Sequence, residues 1–112
     1  MNDSLINRNR NINRGFRKLE VWKEAIELFV FVKKKLDVIS GISFKVKAQV
    51  EDSSFSVHSN IAEGYGRRYL KESIQMNSIA LASMAENYSQ LYALLKAEIV
   101  DQSWFNEYDA MH

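Results

Sequence analysis

The 112-residue chain contains no proline, no cysteine and only four glycines. Without proline no helix is forced to break, and so few glycines leave little material for the tight turns of a sheet protein. The lack of cysteine excludes disulfides and thiolate metal ligands, and fits a cytoplasmic setting. The apolar cluster Phe29-Val30-Phe31-Val32 falls far short of the roughly 20 residues needed to cross a bilayer, and the polar N-terminus is not a secretory signal. No membrane role is expected. Histidine is scarce: His58 and His112 have no neighbours at a metal-ligand spacing, and there is no Glu-x-x-His of the di-iron bundle type. Ser56 and Ser59 flank His58, but an activated nucleophile also needs a third group to orient its base. Neither catalysis, nor a metal, nor another cofactor is expected.

What the chain does have is uneven charge. The net charge is +1, yet residues 1–18 carry Arg8, Arg10, Arg14, Arg17 and Lys18 against Asp3 alone. The first 15 residues are rich in asparagine and offer only Leu5, Ile6 and Ile12 for burial, so residues 1–15 read as a flexible basic arm and 16–112 as one domain. The arm fits either a solubilising tail or a segment that follows a polyanion.

Helical periodicity fills the remainder. The spacing of Leu19, Trp22, Ile26, Phe29, Leu36 and Ile39 predicts a helix from about Lys18 to Ile39. A second line, Val21, Leu28 and Phe31, gives that helix more apolar surface than one seam requires and suggests a contact with another subunit. Lys33-Lys34-Lys35 read as a solvated face whose stems cover apolar surface. Ser40-Gly41 stops the helix, with glycine free to take the left-handed conformation. Ser43 caps a second helix that ends at Gly64 and places the small Ser53-Ser54 pair at its middle. Leu70, Ile74, Asn77, Leu81, Met84, Tyr88, Leu91 and Leu95 alternate 4-3 along a third helix. Asp101 caps a short fourth helix with Trp104, Tyr108 and Met111 on one face. Short loops make neighbours antiparallel, so the expected fold is all-α, an up-down-up-down four-helix bundle with a short last helix.

The stretch Ser59-Asn60-Ile61-Ala62-Glu63-Gly64-Tyr65-Gly66-Arg67-Arg68 joins helices two and three. Gly64 and Gly66 beside a helix start and two arginines have the elements of a phosphate site, and equally those of a plain interhelical turn. The topology gathers Arg14, Arg17, Lys18, Arg67, Arg68 and Lys71 at one end, with Glu20, Glu63 and Glu72 offsetting part of their charge. Counting antiparallel from the turn puts Trp22 level with Asn60, near Ser73 and Asn77. Asn60 is expected either to hydrogen-bond across the bundle there or to face water.

The segment Leu19-Glu20-Val21-Trp22-Lys23-Glu24-Ala25 resembles the start of a family of small bacterial four-helix bundle proteins. They are encoded within intervening sequences of large-subunit ribosomal RNA genes. Gln49 through Gly66, centred on Ser59-Asn60-Ile61-Ala62-Glu63-Gly64, is similar to that family's most recognisable motif. Arg67, Lys71-Glu72 and the Ile79-Ala80…Ser83…Glu86 pattern also match, so the resemblance spans about residues 16 to 108. It implies a bundle that assembles as a homopentameric ring. It also implies kinship with a pentameric, basic accessory protein of diversity-generating retroelements that binds nucleic acid. The chain departs from the family pattern at Glu51 and Asp52, where basic residues are usual, at His58, where proline is usual, and at Tyr69, where a serine cap is common. Two functions follow as expectations: a non-enzymatic oligomer holding RNA or DNA by its phosphates, or an oligomeric scaffold that binds protein.

Overall fold

A computed structural model describes residues 15–112. The arm before Gly15, Arg14 included, lies outside the described residues. The chain begins with a 3-10 turn, Gly15–Lys18, and continues as four helices: α1 (Glu20–Val38), α2 (Phe44–Gly66), α3 (Leu70–Lys96) and α4 (Gln102–Met111). The described residues contain no strand. This is the expected four-helix bundle.

Local chemistry sets the boundaries. Ser43 accepts a hydrogen bond from the Val46 amide at 3.2 Å, and Asp101 accepts one from the Trp104 amide at 2.7 Å. Each satisfies one donor left open at a helix start. The Trp104 amide and the nearby Lys35 ammonium hold the Asp101 carboxyl below its ordinary range. Gly41, between α1 and α2, adopts φ +83°, the left-handed geometry expected of it. Gly64 does not stop α2, which runs on in helical conformation to Gly66.

The core lies where α4 meets the other helices. Leu28, Val32 and Leu36 of α1, Val50 of α2, Leu91 and Leu94 of α3, Val100, and Phe105 and Tyr108 of α4 form one buried cluster. Trp104 stacks on Phe31 at 5.2 Å and on Tyr108 at 5.7 Å. Leu28 is therefore buried within its own chain and Phe31 is covered by Trp104. Of the predicted intersubunit line, only Val21 remains open, at 58% exposure. The correction has a simple cause: α4 sits on that face of α1.

α2 and α3 approach closely through small residues. Ser53, Ser54 and Gly64 on α2, and Ala80 and Ser83 on α3, are all buried. A Cβ at Gly64 would stand 3.1 Å from Asn77 Oδ1 and 3.3 Å from the Ser73 carbonyl oxygen. Gly64 is thus required for space, not for backbone freedom. Away from the turn, Lys33 contacts Asp37 at 2.9 Å and Glu51 at 3.0 Å, and Lys47 contacts Asp37 at 3.0 Å. Asp37 and Glu51 thus both stand between a lysine of α1 and one of α2, since Lys47 also reaches Glu51 at 3.8 Å. These contacts raise the Lys33 pKa and lower that of Asp37. Two of the three residues in the Lys33-Lys34-Lys35 run are paired, since Lys35 reaches Asp101 at 3.5 Å.

Candidate functional site

The predicted 4-3 line of α3 is only half covered. Tyr88 packs on Phe105 and Tyr108 of α4, and Leu91 and Leu95 join the core. Nearer the α2–α3 turn, Leu70, Ile74 and Leu81 are 76%, 56% and 66% exposed. The reason is length. At 1.5 Å per residue, α4 extends about 15 Å along a partner about 40 Å long, so the upper part of the face has no fourth helix on it. What it leaves is an apolar groove of about 400 Å³ between α1 and α3, lined by Leu19, Val21, Ile61, Tyr65, Leu81 and Met84 among others. A smaller recess of about 130 Å³, reaching Met111 and His112, lies between the end of α4 and the α1–α2 wall. His112 Nε2 lies 3.1 Å from the Met84 carbonyl oxygen.

The same end carries the cations, as the antiparallel order requires. The 3-10 turn packs against α1 and α2, and Phe16 meets the Trp22 ring edge-on at 5.1 Å. Arg17, Lys18, Arg67, Arg68 and Lys71 are all exposed. They are not equivalent. Arg67 Nη2 binds Glu63 Oε1 at 3.3 Å, one helical turn back. The Arg68 guanidinium sits 5.6 Å from the Tyr69 ring centroid. Among the described residues, Arg17, Lys18, Arg68 and Lys71 have no ion pair. α3 begins behind Tyr69 with no side-chain cap on its first amides. The arrangement can attract an extended polyanion, while its exposure gives no enclosed cradle for a single phosphate.

Asn60 does not bridge the bundle directly. Its Nδ2 donates within α2, to the carbonyl oxygen and to Oγ of Ser56, both at 2.8 Å. The Ser83 hydroxyl then donates to Ser56 Oγ at 2.9 Å, so the connection to α3 passes through Ser56. At the predicted Trp22 level the interhelical bond is a different one: Ser73 Oγ donates to the Gly64 carbonyl oxygen at 2.7 Å. The fully buried polar centre lies elsewhere, at Asn87, a residue that the sequence pattern did not single out. Its Nδ2 donates to Ser53 Oγ at 3.0 Å and to the Val50 carbonyl oxygen at 3.3 Å, and its Oδ1 accepts from Tyr108 at 2.7 Å.

Among the described residues no three His, Cys, Asp or Glu side chains are grouped to hold a metal ion. No described helix is long and apolar enough to cross a membrane. His58 lies against Phe55 at 4.5 Å and Phe29 at 6.2 Å, with its Nε2 buried and unpartnered. Burial lowers its pKa.

Fold and surface together define a small helical bundle with an open apolar face and a cationic end. The chain belongs to the 23S rRNA-intervening sequence protein family, whose pattern matches residues 17–112. No curated protein and no solved structure matches it.

Proposed function

We propose that the chain is a non-enzymatic accessory protein that assembles with copies of itself into a homopentameric ring and holds RNA or DNA by its phosphates. The observation that carries this reading is the coincidence of two features at one end of the bundle. Leu70, Ile74 and Leu81 present aliphatic surface to water there, beside the exposed Arg17, Lys18, Arg68 and Lys71. Burying a leucine or isoleucine side chain is worth about 1.5–3 kcal/mol, so a neighbouring copy gains by covering this face. A ring built through that face repeats the cations around one rim and multiplies their field. Contacts to phosphate release counterions and carry no base information, so binding is salt-sensitive and largely indifferent to sequence. The family's association with 23S rRNA intervening sequences supports an RNA-related role.

The test is a salt titration of binding to structured RNA and to duplex DNA. Replacing Arg68 and Lys71 together with glutamine lowers the salt slope by about 2, if each contacts one phosphate. Arg67→Gln has the smaller effect, because its guanidinium is already shared with Glu63. Parent protein with no salt-sensitive binding favours the protein-scaffold reading, for which the near-neutral net charge of +1 speaks.

A further inference from the structure

The five tyrosines of the chain are put to different uses. Tyr108 is fully buried in the core, and Tyr88 and Tyr92 both pack edge-on against Phe105, at 5.5 and 6.0 Å. Tyr65 closes the joint with the 3-10 turn, where a Cβ on Gly15 would stand 2.5 Å from its phenol oxygen. Tyr69 does none of this. It is 61% exposed and occupies the N-cap position of α3, where a short side chain that accepts from an open amide is favoured. Tyrosine makes no such bond here, so its ring supports neither the helix start nor the core.

A lone exposed aromatic needs no explanation in itself. What singles out Tyr69 is its company. The Arg68 guanidinium lies 5.6 Å from its ring centroid, and Lys71 stands two residues on. Arg17 and Lys18 belong to the same end of the bundle. None of these four cations has an ion pair among the described residues, and Glu63 is already engaged by Arg67. A phosphate needs only the cations. An open ring between them suits a second, flat group on the same ligand. Phosphates alternating with bare base faces are the chemistry of an unpaired strand. In a duplex the bases are stacked and paired inward, so a side chain at the surface meets mainly the backbone.

We propose that Tyr69 is a stacking platform for one base of an unpaired strand, with Arg68 and Lys71 on the adjoining phosphates. The proposal rests on the phosphate-binding reading above and narrows its ligand class to unpaired nucleotides. Stacking uses a π-face that every base has, so the site is tolerant of sequence.

The test measures the full-length protein against a short oligouridine and against an RNA duplex of equal length. Variants are compared on one ligand at a time, because the denser charge of a duplex raises its baseline affinity. Tyr69→Ala weakens oligouridine binding about tenfold, as expected for the loss of one base stack, and duplex binding by less than about twofold. Tyr69→Phe retains the parent affinity, since the ring and not the hydroxyl makes the stack. Both variants keep the parent's salt slope, because no cation has been removed. Unchanged oligouridine binding in Tyr69→Ala overturns the proposal and leaves the phosphate-binding reading standing if the parent's affinity is salt-sensitive. An equal loss on both ligands also overturns it, as does a change of native mass in Tyr69→Ala, which makes the ring a contact between copies. A parent that binds neither ligand overturns the phosphate-binding reading and this proposal together.

Discussion

The Tyr108 hydroxyl donates to Asn87 Oδ1 at 2.7 Å, joining the shortest helix to the middle of the longest. Both residues are fully buried. Asn87 carries the link onward to α2 through Ser53 and Val50, and the Ser53 hydroxyl donates in turn to Gln90 Oε1 at 2.7 Å. Burial also raises the Tyr108 phenol pKa. A polar residue in this position fixes one register of α2, α3 and α4, because sliding any helix strands several buried groups at once.

Asn87→Leu therefore destabilises the protein by about 2–3 kcal/mol, since the Tyr108 hydroxyl loses its acceptor inside the core and Ser53 Oγ loses the donor it accepts from, while keeping its own bond to Gln90. Tyr108→Phe removes one bond with little change of shape and costs about 1–2 kcal/mol. Urea denaturation of both single variants and the double variant measures this. The double variant loses less than the sum of the two singles, because one shared bond is removed in each.

Gly64→Ala loses stability despite a helix preference for alanine of about 1 kcal/mol. The added methyl meets the Ser73 carbonyl oxygen and Met76 Cβ at 3.3 and 3.1 Å, and α2 and α3 must separate to admit it. A net loss of about 1–2 kcal/mol is expected in thermal melts. Gly41→Ala is destabilising for another reason: space is open around Gly41, but its φ of +83° strains any residue with a Cβ.

Acid weakens the fold through His58. Its pKa is lowered by burial from the ordinary 6.5, so the unfolded chain takes up the proton more readily. This contribution to stability is complete above that value and is lost as pH falls below it, toward the folded-state pKa. Urea midpoints measured from pH 8 to pH 5 decline for the parent. In His58→Leu, the part of the decline that begins near the ordinary histidine value disappears, and a decline of the same size would contradict the assignment.

Much of the fold was legible because caps and turns are local. Ser43, Asp101 and Gly41 mark helix ends through chemistry confined to a few residues. α1 was expected over Lys18–Ile39 and occupies Glu20–Val38. The packing partners of each face were less legible. Hydrophobic periodicity picked out the Leu70–Leu95 line, of which only Leu91 is buried; the buried stripe of α3 is Ala80, Ser83, Asn87, Leu91 and Leu94, and α4 covers only the lower part of the apolar line. Ala80 and Ser83 read only as a thin flank of that line, and Asn87 was passed over, yet all three face the bundle interior. Small and polar residues add little to an apolar pattern, although their size permits helices to approach and their bonds fix register. At the turn, the antiparallel order puts Arg17, Lys18, Arg67, Arg68 and Lys71 toward one end of the bundle, with Arg14 outside the described residues. Arg67 and Arg68 differ already in sequence, because Arg67 stands four residues after Glu63 and can pair with it; the geometry shows that pair made, with Arg68 beside Tyr69 instead. Asn60 turned back to Ser56, whose carbonyl and hydroxyl oxygens, one helical turn earlier, both lie at 2.8 Å.

Self-assembly through the open α3 face is the step on which the proposed ring, and with it the proposed cationic rim, depends. Native mass measurement in dilute solution tests it most directly. The chain mass is 13.0 kDa, and a pentamer therefore gives about 65 kDa. Ile74→Glu combined with Leu81→Glu shifts that mass to the single chain while helix content by circular dichroism is retained, because both side chains are exposed in the isolated bundle. A parent protein that shows only the 13.0 kDa species contradicts the account.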